Sequence, residues 1–448
     1  MATLQDWTNF QNDLLVQYQT LFAFSDVLLS LMSGAVKDPN GVATYDPAQE
    51  RITRFSAQGR EIFDDGASIR VPLMMAEVAG ASGTGRGGTF AVTSPIDTQK
   101  VTAKLTELTS PIGVDLYLAN QAQNGSLTAR GYIETLTDSA FRSLAKAEND
   151  MLYGNGDGNL VPGGNTAADA TGLTMTVGTG VNWNQLTPGR VVSVRVAATG
   201  ADPGQGLRRK IASVNKGAGT ITFSATQVAS DGGTGNIVLA AAAAGTYGVY
   251  IDLTYDALAA NGKAIQGLNQ VAATTGVFEG LDKAANPQWQ GVQVNGAAAA
   301  LSNSDLDNAC YALAANGLDS PAFGIGHPAT IDVYKNSLQQ FLKVEPQMAT
   351  VKSGWRGIIY QGGNTDVPII KDLAAPRKTI NLCPDPGPAG RLYGNGAGPE
   401  FVQDDGGQWR FFTRATYKEA VIVDWVQFGV GNASHFAQIT NLTEAYTP

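Results

Sequence analysis

Few residues in this chain stand at spacings that could do chemistry. The stretch Gly83-Thr-Gly85-Arg-Gly87-Gly88 has the glycine spacing of a dinucleotide-binding turn. That chemistry needs a helix N-terminus directly afterwards, where free amides and the macrodipole hold a pyrophosphate. The strand-forming run Thr89-Phe-Ala-Val92 follows instead, so these glycines read as the tip of a hairpin. His327 and His435 are the two histidines, far apart and without nearby cysteine or carboxylate clusters. A triad or a zinc site needs a constellation around the imidazole, so both read as structural. Asn155-Gly-Asp157-Gly-Asn159 opens like a calcium loop, but Leu160 stands where the loop needs glycine and Thr166 where it needs a bidentate glutamate. Asp64-Asp65 and Asp404-Asp405 lie beside Gly66 and Gly406, which makes them turn residues and not a hydrolytic carboxylate pair. The expectation is no enzyme, no cofactor and no bound metal.

Charge narrows the partners. The 448 residues carry 30 Lys plus Arg against 39 Asp plus Glu, a net charge of −9. Phosphate binding depends on clustered cations that release counterions, so this is no general nucleic-acid binder. The distribution is uneven: Leu173 to Gly248 holds the cations Arg190, Arg195, Arg208, Arg209, Lys210 and Lys216 against the anions Asp202 and Asp231. A basic module on an acidic body can meet acidic faces of neighbouring copies, with Arg208-Arg209-Lys210 as the candidate contact; a solvated charge cluster is the plainer alternative. Cys310, in a helical run, and Cys383, in a Pro-rich loop, are too few for a disulfide framework and point to a reducing compartment. No Lys or Arg precedes Lys37, so the apolar stretch from Val27 to Met32 lacks the basic start of a signal peptide, and it is too short to span a bilayer.

The elements around these residues are elongated. Leu14, Tyr18, Leu21, Phe22, Leu28, Leu29 and Met32 recur at three-four spacing and predict an amphipathic helix ending at Gly34 with no sequence-adjacent partner. Two extended arms around Gly80 to Gly88 predict a long hairpin, with Ala67 to Met75 going out and Thr89 to Val92 returning. Ile133, Leu136, Ala140, Leu144, Ala147 and Met151 predict a helix over 126–153, capped by Ser126 and stopped by Gly154-Asn155-Gly156. Between Gly158 and Gly248 the period switches to two. Short runs at 173–177, 191–196, 211–214, 220–223 and 237–239 are split by glycine-rich turns, which predicts a small all-β module, a barrel or a sandwich. Helices are expected near 254–267, 304–316 and 328–341, and strands at 357–360, 367–371, 408–414, 419–427 and 437–440. The six tryptophans are scattered one to a segment, as local core anchors are. The fold class is α+β.

The order of these elements, with several short motifs, resembles the major capsid proteins of tailed bacteriophages, the Hong Kong 97-type fold. The residues that carry the resemblance are Arg130 to Tyr153 running into Gly154-Asn-Gly-Asp-Gly158, then Gly267-Leu268, Gly280-Leu281-Asp282 and Trp289. Ser304-Asp305-Leu306 with Ala309, Pro328 with Tyr334, and Val367-Pro-Ile-Ile-Lys-Asp372 follow, and Asp405-Gly-Gly-Gln-Trp-Arg410 leads to Tyr417 and the strand from Ala420 to Phe428. The resemblance implies an N-terminal arm at 1–56, an E-loop hairpin at 57–110, and a peripheral domain at 111–159 and 401–448 built on the spine helix. It further implies an inserted β-barrel-like domain at 160–250, a connecting peripheral segment at 251–295 and an axial domain at 296–400. The implied function is a shell of pentamers and hexamers that encloses phage DNA without sequence-specific binding, touches no membrane, and expands from procapsid to mature head. The implied partners are other copies of the chain, a separate scaffolding protein (the arm and hairpin leave no room for a fused scaffolding segment), a portal protein at one vertex and a possible decoration protein. The implied location is the virion capsid, assembled in the bacterial cytoplasm. Leu14, Tyr18, Phe22, Arg86, Arg208, Arg209 and Lys210 are the candidate assembly contacts. Lys100 and Lys104 lie on the hairpin's return, but no crosslinking role is assigned to them.

Physical chemistry points the same way. A free helix, an unsupported ribbon and a surface with only 15% charged residues call for burial against neighbours. An encapsulin-like nanocompartment is the alternative with the same fold, although those proteins are shorter and lack an inserted module. A β-rich glycan-binding tail protein fits less well, because it would show sequence repeats and carboxylates on successive strands.

Overall fold

The apolar spacing of Ile133, Ala140, Leu144 and Met151 is realised as helix α1, Leu127–Leu152, in the computed structural model. The structure describes residues 35–37, 43–45, 62–63, 68–74, 98–115, 117, 121–122, 127–167, 173–177, 181–196, 208–227, 247–251, 264–341, 348–350, 356–362, 365–384, 389–393, 399–402, 410–411 and 417–444. The helix at 14–32, the hairpin tip with Arg86, the cap Ser126 and the carboxylate pairs at 64–65 and 404–405 lie outside the described residues.

Helix α1 ends where the Gly154 N–H closes back on the Met151 carbonyl at 2.8 Å. The following oxygens are spent locally: Asp157 Oδ1 accepts from the Asn159 N–H, and Asn159 Oδ1 from the Val161 N–H, so the calcium-like spacing builds two turns. A 26-residue helix rises about 39 Å, and it packs chiefly on Thr106–Asp115, the partner of a strand of similar reach, Tyr417–Val430. That strand exists because the run from Val421 to Val426 is dominated by residues that suit a pleated, half-buried surface. It pairs antiparallel with Thr106–Asp115 over ten residues, from Tyr417 opposite Asp115 to Val426 opposite Thr106. Its other edge takes Ala389–Tyr393, Glu400–Phe401 and Arg410–Phe411. Leu108, Ile112, Ile422 and Val426 are buried against α1, with Phe141 edge-on to Phe401 at 6.1 Å. Each such large side chain contributes about 1.5–3 kcal/mol by leaving water.

A second sheet of seven strands runs in the order Val292–Ala299, Ala437–Leu442, Ile380–Cys383, Phe323–Gly326, Thr365–Lys371, Arg356–Gly362 and Met348–Thr350. Ala437–Leu442 therefore pairs with strands of the 296–400 region, and Cys383 ends a buried strand instead of lying in a loop. Between the two sheets in sequence lies the short helix α2, Leu268–Ala272. Helices α3, Asn303–Ala315, and α4, Pro328–Phe341, cover the seven-stranded sheet. Leu306, Leu313, Ile331 and Tyr334 form a core there with Ile358, Ile369, Ile380 and Ile439. Helix α3 starts with a reciprocal cap: Ser302 Oγ accepts from the Asp305 N–H at 3.2 Å, and Asp305 Oδ2 from the Ser302 N–H at 3.0 Å.

The period-two region is a closed six-stranded barrel. Its strands are Asn159–Ala167, Thr174–Thr176, Val191–Val196, Arg208–Asn215, Thr220–Gln227 and Tyr247–Ile251, all antiparallel. Four of these, Thr174–Thr176, Val191–Val196, Arg208–Asn215 and Thr220–Gln227, were expected within a few residues of where they lie. The first and last were not read from the sequence, because Pro162-Gly-Gly164 looks like a turn and Tyr247-Gly-Val-Tyr-Ile251 does not alternate. The run at 237–239 falls outside the described residues.

The hairpin pairs Ser68–Met74 with Thr98–Lys104, from Ser68 opposite Lys104 to Met74 opposite Thr98. Thr98–Lys104 is thus part of the return, and the expected Thr89 to Val92 lies outside the described residues. Of the helix expected near 254–267, residues 264–267 are extended, and α2 begins after them. Ala35–Lys37 and Ala43–Tyr45 pair around a stretch expected to be loop.

Candidate functional site at the root of the hairpin

The described residues hold no group of three or more His, Cys, Asp or Glu that could bind a metal, and no helix long and apolar enough to cross a membrane. His327 Nδ1 accepts from the Ala329 N–H at 3.1 Å at the start of α4; burial, with Arg377 nearby, pushes its pKa down to about 4. His435 contacts Asn432 at 3.2 Å, and burial lowers it. Both serve the fold.

The dense polar cluster is elsewhere, where the hairpin joins the body. Residues 264–291 form a connector between α1, the hairpin and the long strand. It approaches α1 at Gly267: a Cβ there would stand 2.4 Å from the Leu152 carbonyl oxygen, so only glycine lets the two backbones touch. Gly291 meets α2 in the same way, with a Cβ placed 2.5 Å from Ala272 Cα. These contacts explain Gly267-Leu268 in the sequence. Gly280-Leu281-Asp282 and Trp289 follow from the rest of the connector: Leu281 is buried, Asp282 Oδ1 accepts from the Ala284 N–H, and Trp289 is fully buried with its Nε1–H donating to the Phe278 carbonyl.

Glu279 is the centre of the root. Its N–H donates to Gln266 Oε1 at 2.9 Å, its carbonyl accepts from the Thr102 N–H of the hairpin at 2.8 Å, and its carboxylate accepts from the Val430 N–H of the long strand at 3.1 Å. The backbone there adopts φ 47°, a left-handed conformation that is uncommon for a side chain of this size and is held by its three partners. Gln427 completes the clamp. Its Oε1 accepts from the Gln266 N–H at 2.8 Å, and its Nε2 donates to the Lys104 carbonyl at 2.7 Å, at the last residue of the hairpin strand. Glu279, Gln266 and Gln427 are all buried.

Lys283 is fully buried beside them and donates to the carbonyls of Gln270, Val271 and Ala273 at 2.5–2.7 Å. An ammonium has the three protons these acceptors need, and it sits at the C-terminal end of α2, where the helix carbonyls are otherwise unpaired. Its Nζ also lies 5.5 Å from the centre of the Phe278 ring. Burial pushes Glu279 up to about 8, against the opposing pull of the Val430 N–H and Lys283. Burial pushes Lys283 down to about 7, opposed by Glu279. The root therefore holds two ionisable groups poised near neutrality between elements of different layers.

None of these residues was singled out from sequence. The available signal was one Glu and one Lys close together in the run from Val277 to Trp289, which also holds Asp282, Asn286 and Gln288. Of the expected contact residues, Leu14, Tyr18, Phe22 and Arg86 lie outside the described residues. Lys210 is exposed, Arg208 is half-buried, and Arg209 is fully buried at the same inward-facing register as Ile211. The three-cation cluster is thus divided between the two faces of one strand, which removes Arg209 from the surface contacts. Trp183 and Trp289 are buried anchors, whereas Trp425 is half-buried.

No protein-family model matches the chain, and no curated protein sequence matches it. Among solved structures the chain is similar to the capsid of cyanophage A-1(L), with 12% identity and a TM-score of 0.47 over 86% of this chain and 91% of that one. It is also similar to a structure of Mycobacterium phage Patience, with 11% identity and a TM-score of 0.37 over 92% and 93% of the two chains. A third similarity is to the holo-SrpI encapsulin complex of Synechococcus elongatus PCC 7942, with 11% identity and a TM-score of 0.38 over 79% and 81%.

Proposed function

We propose that this chain is the major capsid protein of a tailed bacteriophage, a subunit that closes with its copies into an icosahedral shell around the genome. The observation that carries this is the hairpin root: a narrow ribbon of Ser68–Met74 and Thr98–Lys104, edged only by the two-residue strand Ile62–Phe63 and marginal by itself in water, is fastened to the body by the buried clamp of Glu279, Gln266 and Gln427. A chain that builds such a clamp at the base of a ribbon uses the ribbon, and a neighbouring subunit is the surface that a ribbon of this kind needs. The length of α1 and of Tyr417–Val430 suits an extended tile better than a globule with a cleft.

In this proposal the barrel is an inserted domain and the regions follow the divisions given above, with the arm at 1–56 and the hairpin engaging adjacent copies through Leu14, Tyr18, Phe22 and Arg86. Lys210 is the exposed barrel cation available to an acidic neighbour. Copies form pentamers and hexamers, a separate scaffolding protein guides closure in the bacterial cytoplasm, a portal occupies one vertex, and a decoration protein can bind outside. The net charge of −9 suits a container that holds DNA without gripping it. Expansion from procapsid to head turns on the hairpin root, where few residues join the ribbon to the body.

Co-expression with the scaffolding protein encoded beside it should give closed shells of tens of nanometres by electron microscopy. A chain that stays monomeric with its scaffolding partner at all concentrations would sink the proposal. Deleting Gly80 to Gly88 should abolish shells while the subunit keeps its cooperative unfolding transition.

A further inference from the structure

The barrel is not hung on the body by its two chain crossings alone. Its turn at 182–190, between the strands Thr174–Thr176 and Val191–Val196, is wedged between the end of α1 and the loop 372–375 that leaves the seven-stranded sheet. On the loop side, three consecutive backbone carbonyls accept from side-chain amides of the turn. Asn182 Nδ2 donates to Leu373 at 2.8 Å and to Ala375 at 3.1 Å, Gln185 Nε2 donates to Ala374 at 3.3 Å, and Asn184 Nδ2 donates to Leu373 at 3.4 Å. On the helix side, Arg190 bonds Asp150 at 2.5 Å, with the two side chains 12% and 2% exposed, and Lys146 Nζ reaches the Asn184 carbonyl at 3.0 Å. Arg190 also donates to the Gln185 carbonyl at 2.7 Å, tying the turn to itself. The two body elements touch directly through Tyr153 Oη–H, which donates to Asp372 Oδ2 at 2.6 Å. Trp183, Leu186 and Ala375 are buried in the same continuous core as Met151 and Leu152.

From this geometry we infer that the barrel is an internal brace: its 182–190 turn fixes the position of the α1 layer relative to the seven-stranded sheet within one subunit. Three features support the assignment. The contacts bridge elements that belong to different sheets, so they restrain an angle and not a local turn. On the loop side they read backbone carbonyls, whose position follows the sheet, while the Leu373 side chain is 60% exposed and takes no part. The bonds of Asn182, Gln185 and Arg190 are buried or half-buried, where an unmade amide–carbonyl pair leaves two desolvated groups and displacement is resisted; those of Asn184 to Leu373 and of Lys146 are exposed. The inference concerns contacts within one chain and holds whether or not the chain closes into shells.

Asn182 separates the brace from the turn that carries it, because its Oδ1 accepts from the Asn184 N–H at 3.1 Å while its Nδ2 makes the two loop bonds. Asn182→Asp keeps the acceptor and removes the donor; Asn182→Ala removes both. Hydrogen exchange on the full-length protein reads the result at Ala374 and Ala375, whose N–H groups bond Asp372. Both variants should speed exchange at these two amides about tenfold, with the barrel amides of Val191–Val196 changing less than about twofold. Nitroxide labels on Ser139→Cys of α1 and Tyr311→Cys of α3, in a Cys310→Ser, Cys383→Ala background, should show a broader distance distribution in Asn182→Asp than in its parent. Unchanged exchange at Ala374 and Ala375 in Asn182→Asp, an even rise across every protected amide, or an unchanged label distance would each overturn the brace.

Discussion

The hairpin root and the barrel dock are both seams between layers, yet they are made of different chemistry. At the dock the buried donors are neutral amides and one ion pair, with the Lys146 ammonium at its exposed edge, and Arg190 keeps its charge at any pH a protein survives. At the root the central groups are Glu279, raised to about 8, and Lys283, lowered to about 7, with Glu279 in a left-handed backbone conformation. Burial raises Asp150 of the dock too, but the guanidinium opposite opposes that rise directly. The difference teaches that a buried charge holds a seam permanently when its partner cannot titrate, and conditionally when both can. A joint that must move belongs to the second kind.

The largest effect should come from breaking the permanent seam. Asp150→Ala leaves Arg190 buried without its carboxylate and should cost about 3–5 kcal/mol in denaturant unfolding. A loss below about 1 kcal/mol would show the dock to be no stronger than a surface pair. Next, Lys283→Met keeps the apolar volume but strands the Gln270 and Val271 carbonyls, leaving Ala273 with only the Gly291 N–H, and about 2–4 kcal/mol should be lost, read as an earlier unfolding midpoint. Equal stability would mean that packing alone holds α2 in place.

The third effect is the pH dependence that the root contributes. Between its ordinary value of 4.5 and about 8, folded Glu279 keeps a proton that the unfolded chain has released, so stability falls as pH rises across that window. Lys283 acts in the opposite sense: its contribution is fully present above 10.5 and is lost as pH falls through about 7. Together they place a stability minimum between pH 7 and 8, with limbs of at most about 1.4 kcal/mol per pH unit; His327, held down to about 4, gives the opposite slope below its ordinary 6.5, so the Glu279 limb is read as the difference between wild type and variant. Glu279→Gln should flatten the acid-side limb and leave the alkaline one; an unaltered acid-side slope in urea midpoints measured from pH 5 to 8 would remove Glu279 from the account. The smallest effect is expected at the barrel surface, where Lys210→Ala should change subunit stability by less than about 0.5 kcal/mol. Any consequence of that substitution should appear in association between copies.

Periodic elements were the legible part of the fold. The stripe of α1, the helix near 304–316, the start of α4 at Pro328 and the long C-terminal strand all follow from spacing that one chain segment dictates by itself, whereas the Ser302 cap was not read. Thr106–Asp115 was missed although its burial alternates, because Pro111 and Gly113 interrupt the pattern and only ten consecutive pairings with the long strand offset them. Arg209 was read as surface from its charge, whereas strand register turned it inward beside Ile211. The candidate site was scarcely legible at all. Thr102, Gln266, Glu279, Gln427 and Val430 are scattered over more than three hundred residues, and none belongs to a pattern.

The sequence by itself determined the local architecture, the α+β class, the glycine stops and the weakly charged surface, because propensity, periodicity and composition act over a few residues at a time. Only the tertiary structure decided which strands closed the barrel, where the hairpin returned, and which buried polar groups found partners. Those outcomes depend on hydrogen bonds and desolvation between segments that meet only once the chain has folded, and no local pattern records them.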